Sequence, residues 1–190
     1  MKKGIIVGMK GRTTLKGNIF RALSANFIVA IVGFLGSFIF PRILTIDDYA
    51  LYHTFTLYLS YITILHLGFP SGMAVNYAGK DFETIDKKQY KSELILLFLI
   101  LTVGTIGLFA GAFIVKSTML VYISLAVIPV GVIGSYKSLL QSWNRFRAFG
   151  RVSAILSLSV PIFAIAYYFV TGGLPGDTYI AIYLIANWLV

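Results

Sequence analysis

Apolar stretches long enough to cross a bilayer follow one another along this chain, with only short polar segments between them. Crossing about 30 Å of hydrocarbon takes about 20 helical residues. Five stretches reach that length, and a shorter sixth follows them. The expected spans are 19–40, 49–78, 94–115, 119–140, 152–171 and 177–190. The sequence therefore predicts an all-α polytopic membrane protein with six transmembrane helices, the last one truncated, behind a basic N-terminal segment over residues 1–18.

Composition narrows the class of protein further. Hydrophobic residues make up 58% of the chain and charged residues 12%, whereas a soluble domain carries about 25% charged residues. Too few charges remain to cover a water-exposed surface, which argues against a soluble enzyme and a disordered chain. The net charge of +9 does not indicate a nucleic-acid partner, because the basic residues stand in small groups between apolar runs. With no cysteine and only two histidines, we expect no metal site and no cofactor.

The basic residues alternate between the two sides of the expected spans. Fourteen belong to the N-terminal segment, the segment after the second span or the region around the end of the fourth, and two lie on the other side, Arg42 and Lys116. The positive-inside rule then places the N-terminus in the cytoplasm. Tyrosines near the span ends fit the aromatic belts at membrane interfaces; they include Tyr49, Tyr52, Tyr179 and Tyr183.

Three prolines fall inside expected spans, namely Pro70, Pro129 and Pro161. A proline removes a helical hydrogen bond and tends to kink or break the helix. The second stretch would also be about 45 Å long if straight, and Gly68–Gly72 interrupts it. Broken helices at membrane depth are typical of transporters, where the freed backbone groups line a cavity. The alternative is that glycine and proline are simply more frequent in membrane helices.

Polar and charged side chains at membrane depth are costly and are therefore candidates for function. Lys137, Gln141 and Arg145 share one face if their helix continues, and this face would suit a diphosphate-bearing substrate. The alternative for the cations is contact with lipid headgroups and control of topology. The candidate substrate-binding residues are Arg21, Asn26, Arg42, Lys137, Gln141 and Arg145.

His66 lies almost at the centre of the second expected span, beside the Gly68–Gly72 interruption. An imidazole titrates near physiological pH, so His66 is a candidate for coupling transport to protons. The alternative is a neutral histidine that hydrogen-bonds to a neighbouring helix.

Several short motifs resemble the N-terminal region of bacterial polysaccharide flippases, the O-antigen and capsule repeat-unit exporters of the multidrug/oligosaccharidyl-lipid/polysaccharide superfamily. The motifs appear in the expected order, with a match that runs from about residue 18 to the end. They are Asn26, Pro41-Arg42-Ile43-Leu44, Asp48-Tyr49-Ala50-Leu51-Tyr52, Leu67-Gly68-Phe69-Pro70 and Leu140-Gln141-Ser142-Trp143-Asn144-Arg145-Phe146. Ala50 stands where the pattern usually has glycine, and His66 where it often has an acid, which puts an ion-coupling role at that position in doubt.

This resemblance implies one lobe of a two-lobe transporter of the MATE-like fold, whose lobes enclose a cationic cavity. The implied substrate is undecaprenyl-diphosphate-linked oligosaccharide, exported across the bacterial cytoplasmic (inner) membrane in surface polysaccharide biosynthesis. Coupling to protons or sodium ions stays open, because His66 stands where the pattern often has an acid. The partners would be the lipid bilayer, the lipid-linked oligosaccharide, and a missing C-terminal lobe or a second copy of the chain.

Other functions stay open at this point. A multidrug or cation antiporter of the same fold would need intramembrane carboxylates, and the first five expected spans hold none in their apolar parts. A membrane enzyme would need catalytic acids near an interface, where Asp47-Asp48 and Asp81-Phe82-Glu83 are the clusters available. A non-transporting membrane subunit would need a partner to cover its interrupted helices. Of these functions we expect transport and no enzyme activity.

Overall fold

The computed structural model describes residues 15–80 and 82–189, which form seven α-helices and no strand. The helices are α1 (Leu15–Ile43), α2 (Ile46–Leu65), α3 (Phe69–Asn76), α4 (Lys87–Val115), α5 (Thr118–Ser142), α6 (Phe146–Thr171) and α7 (Gly176–Leu189). The predicted all-helical fold is confirmed. The basic segment predicted over residues 1–18 lies outside the described residues as far as residue 14, and Asp81 also lies outside them.

Four of these helices are long and apolar enough to cross a membrane, with candidate spans Asn26–Ile43, Lys87–Val115, Thr118–Ser142 and Phe146–Thr171. Their apolar side chains largely face outward. Only 6% of the residues in the apolar segment of α1 are buried, and only 11% of those in the apolar segments of α4 and of α6. Phe27 and Phe34 on α1, for example, are 66% and 64% exposed. An apolar surface of this extent needs a non-aqueous environment, which supports an integral membrane protein. Six spans, which would add α2 with α3 and also α7, remain a prediction.

The centre of the bundle is α5, which packs against α2, α3, α4, α6 and α7, while α1 packs mainly along α6. Ala126 and Val127 of α5 are fully buried. Gly131, one turn further on, faces Leu101 of α4 so closely that a Cβ atom there would lie 2.6 Å from Leu101 Cδ2. Because glycine has no side chain, it permits this approach, as small residues do between membrane helices.

Side-chain caps fix several helix starts. The Thr45 hydroxyl accepts the Asp48 N–H at 3.2 Å, and Asp86 Oδ1 accepts the Lys88 N–H at 2.9 Å. These bonds satisfy backbone donors that the first turn of a helix leaves free. The Asp86 cap explains why α4 begins at Lys87, seven residues before the expected span.

The predicted interruption of the second stretch is confirmed, and it lies slightly earlier than expected. Helix α2 ends at Leu65, Leu67 and Gly68 have φ of 51° and 72°, and α3 then begins at Phe69. A left-handed conformation is disfavoured for any residue with a Cβ atom, so this turn places strain at Leu67. Pro70 lies in the first turn of α3, where proline needs no N–H partner.

The other two prolines of the expected spans do not divide their helices. Pro129 lies inside α5 and Pro161 inside α6, and both helices continue past them. By contrast, α5 ends at Ser142, and Asn144 has a φ of 56°. The continued helix that would have put Lys137, Gln141 and Arg145 on one face is therefore wrong, because the left-handed residue turns the chain before α6.

Candidate functional site

A cavity of about 380 Å³ lies between α1, α2, α6 and α7. We call it the tyrosine compartment, because its lining includes four tyrosines and one histidine, namely Tyr49, Tyr52, Tyr179, Tyr183 and His53. Ser37 of α1 and Ser157 of α6 add hydroxyl groups, and Pro161 also contributes to the wall. Apolar residues of α1 and α6 form the rest of the wall. The cavity is therefore apolar apart from these hydroxyl groups and polar rings.

A second cavity of about 320 Å³ lies between α5, α6 and α7. We call it the lysine compartment, because Lys137 of α5 lines it together with Asn187 of α7. The two compartments share three lining residues, which are Leu156, Ser157 and Tyr183. They are therefore neighbouring parts of one half-open cleft between the helices, with polar groups in its lining.

One stripe of α7 supplies polar groups to both compartments. Tyr179, Tyr183 and Asn187 are spaced four residues apart, so they lie on one face of the helix. Tyr179 and Asn187 are buried, at 3% and 8% exposed. The Asn187 amide donates to the Tyr183 backbone carbonyl at 2.8 Å, which holds the side chain in place. Helix α2 adds Tyr49, Tyr52 and His53 across the cavity.

The rings of the tyrosine compartment are packed edge to face. The Tyr52 and Tyr179 ring centroids are 4.7 Å apart with the planes at 70°, and those of Tyr49 and His53 are 4.3 Å apart at 78°. Phe40 contacts Tyr179 in the same manner, at 5.0 Å. Such T-shaped pairs are the favoured arrangement of aromatic rings. These edge-to-face contacts pack the lining rings against one another.

Lys137 is the cation of this region. Its Nζ atom lies 5.6 Å from the centroid of the Phe149 ring, and it forms no ion pair within the described part of the chain. A cation over an aromatic face gains about 0.5–1 kcal/mol at exposed sites, much less than an ion needs when it leaves water. An anionic ligand in the lysine compartment would therefore be attracted to an unneutralised charge.

The other candidate side chains do not join Lys137. Asn26, Arg42 and Gln141 are exposed and do not contribute to either compartment. Arg145 stands at the N-cap position of α6 without a side-chain capping bond, and its guanidinium carbon lies 5.9 Å from the Phe82 ring centroid. Arg21 lies on α1, but its side chain falls outside the described residues.

His66, the candidate for proton coupling, caps the C-terminus of α2 at the break. It is half-buried, and its Nδ1 atom is buried without a hydrogen-bond partner among the described residues. It lines neither compartment. The histidine that does reach the cavity is His53, which the sequence did not single out. The four lining tyrosines were interpreted as interfacial anchors. The helical spacing of Tyr49, Tyr52 and His53, and of Tyr179, Tyr183 and Asn187, was the signal of two shared polar faces.

Two carboxylates tie α7 to its neighbours at the end of the bundle where α1 meets α2, here called the Pro41 end. Asp48 Oδ1 accepts the Gly176 N–H at 2.7 Å, and Asp48 Oδ2 accepts the Thr45 hydroxyl at 2.6 Å. Both bonds stabilise the carboxylate, Thr45 more than Gly176, so the pKa of Asp48 lies below its usual range. Asp177 accepts the Tyr122 hydroxyl of α5 at 3.0 Å.

Comparison of the chain with protein-family models, with curated protein sequences and with solved structures finds no match. A function for this chain therefore has to be inferred from the chemistry of the cavity. Its described lining combines aromatic rings, hydroxyl groups, one amide and one ammonium group. Hydroxyl and amide groups can form hydrogen bonds, and an ammonium group can pair with an anion.

Proposed function

We propose that the chain is one lobe of a bacterial inner-membrane transporter that exports undecaprenyl-diphosphate-linked oligosaccharide. The observation that carries the proposal is a half-open cleft in an apolar bundle, with Lys137 lining one compartment and four tyrosines lining the next. A substrate with both negative charge and many hydroxyl groups would complement this lining. A lipid diphosphate that carries sugars has both properties.

Lys137 supports the anionic part of this proposal. Charged side chains inside membranes are rare, and they mark substrate or ion pathways. Lysine binds phosphate as a point charge. Because Lys137 lies beside a cavity and has no ion pair among the described residues, a diphosphate group would supply the missing counter-charge.

The charge distribution and the helix break support a transporter. With 14 of 16 basic residues on one side, we propose six spans with the N-terminus and the turn at Trp143 in the cytoplasm, and the Pro41 end outside. In this proposal α2 and α3 together form the second, broken span. The second lobe would come from another segment of the protein or from a second copy.

Rescue of surface polysaccharide in a host that lacks its own flippase tests this proposal. We expect the wild-type gene to restore the polysaccharide and Lys137→Gln to reduce it at equal protein level. Lys88→Gln is the matched control, because Lys88 is exposed at the start of α4 and lines neither compartment. Full rescue by Lys137→Gln would contradict the role of the cation. Failure of the wild-type gene to rescue, with lipid-linked repeats unchanged on its deletion, would contradict the function.

The same strains separate this proposal from a multidrug antiporter. An antiporter of organic cations requires carboxylates in its binding site, and no described residue lining either compartment is acidic. We therefore expect expression of the gene to leave drug resistance unchanged. A rise in resistance that Lys137→Gln does not affect would favour the antiporter instead.

A further inference from the structure

We infer that the tyrosine compartment is a glycosyl subsite, which holds the sugar next to the diphosphate while Lys137 binds the phosphate in the adjoining lysine compartment. This inference rests on the proposed function. It adds an orientation of the substrate and names the residues that recognise the sugar. The key residues are Tyr49, Tyr52 and His53 of α2.

The chemistry of the lining matches a sugar better than a phosphate or a lipid chain. No described lining residue of the tyrosine compartment carries a fixed charge, whereas tyrosine, histidine and serine side chains supply hydrogen-bonding groups. A sugar ring has apolar C–H faces and a polar hydroxyl edge. Tyrosine has the complementary combination, an apolar ring with a polar tip.

One other groove of the bundle shows a contrast. The groove between α6 and α7 is lined by Phe163, Val170, Ile182 and Ile185, with Tyr167 as its polar contribution. Such a surface suits acyl or prenyl chains. The tyrosine compartment has Tyr49, Tyr52, His53 and Tyr179 at the same kind of helix junction, so its polar groups are not explained by contact with lipid tails.

The size and position of the compartment also fit. Its volume of about 380 Å³ lies within the range of about 300–1,000 Å³ for small-molecule sites. A sugar and the phosphate that bears it are joined covalently, so their subsites must adjoin. The two compartments meet this condition, because they share Leu156, Ser157 and Tyr183.

Binding of two lipids to the purified protein in nanodiscs tests the inference. The probes are undecaprenyl diphosphate and the same lipid carrying one disaccharide, each measured by native mass spectrometry. We expect the wild type to bind the glycosylated lipid more tightly. Tyr49→Phe and His53→Ala should each reduce this preference about two- to tenfold, which corresponds to the loss of one hydrogen bond, and leave binding of the bare lipid unchanged.

Lys137→Gln provides the complementary control. It should lower the affinity for both lipids by the same factor and leave the preference for the glycosylated lipid unchanged. Tyr49→Phe keeps the ring, so a folding defect is not expected, and thermal melting checks this. Equal affinity of the wild type for both lipids would overturn the glycosyl subsite and leave the proposed function standing. Failure of the wild type to bind either lipid would overturn the proposed function as well.

Discussion

Replacement of Gly131 by alanine should destabilise the bundle, because the new Cβ atom would enter the space of Leu101. The Cβ would lie 2.6 Å from Leu101 Cδ2 and 3.0 Å from Leu101 Cδ1, whereas ordinary carbon contacts are about 3.5–4.0 Å. Leu101 is fully buried in the core between α4 and α5, so its side chain has little room to move. Overpacking of this kind costs about 1–3 kcal/mol.

The assay is unfolding of the purified protein in mixed micelles by titration with a denaturing detergent, followed by tryptophan fluorescence. The matched control is Gly107→Ala on α4, where an added Cβ meets nothing within 4 Å. This control should leave stability unchanged or raise it, because alanine favours a helix over glycine. The difference between the two variants isolates the steric contact from the change in helix propensity.

A double mutant sharpens the test. Leu101→Ala alone should cost about 2–5 kcal/mol, as loss of a buried leucine generally does. Combined with Gly131→Ala, it removes the side chain that the new methyl group would meet. The two losses should therefore be less than additive by about 0.5–3 kcal/mol, the range for residues in contact. Additive losses, or a Gly131→Ala variant as stable as the wild type, would refute the close packing of α4 on α5.

Two further predictions concern the Pro41 end and the break before α3. The lowered pKa of Asp48 means that its stabilising effect is present above the unfolded pKa of about 3.9 and is lost as the pH falls through the folded pKa. Asp48→Asn should therefore lower the melting temperature at pH 7 and have a smaller effect at pH 3, and equal shifts at both pH values would contradict this. Gly68 has a φ of 72°, so Gly68→Ala should cost about 1–2 kcal/mol in the same detergent titration. Gly72→Ala, inside α3 with open space around it, should not be destabilising, and equal losses in the two variants would count against the left-handed turn.

The helices were predictable from the sequence, because apolar runs of this length form few structures other than membrane helices. The positions of some first turns were not predictable. The expected third and fifth spans began at residues 94 and 152, while α4 and α6 begin at Lys87 and Phe146. Hydropathy marks where a helix becomes apolar, and polar first turns such as the one after Asp86 precede that point. The Asp86 cap was a signal in the sequence that could have corrected the first of these boundaries.

The candidate site was predictable only in part. Lys137 stood out because a cation at membrane depth is rare. The tyrosines of α2 and α7 did not, because the same residues near span ends fit an interfacial belt equally well. Their shared cavity depends on how α1, α2, α6 and α7 pack, which no local pattern specifies. The proposed face of Lys137, Gln141 and Arg145 failed because the left-handed Asn144 ends the helix, which hydropathy does not reveal.

The most direct test of a polar cavity within a membrane-embedded bundle is the reaction of single cysteines with a water-soluble thiol reagent in intact membranes. The chain contains no cysteine, so each substitution reports on one position. Ser157 lies at the junction of the two compartments, and Ile162 on the same helix is 57% exposed on the outer surface of the bundle. We expect Ser157→Cys to react and Ile162→Cys to stay unreactive in the bilayer. Reaction at Ile162→Cys with none at Ser157→Cys would contradict both the cavity and the membrane-facing surface.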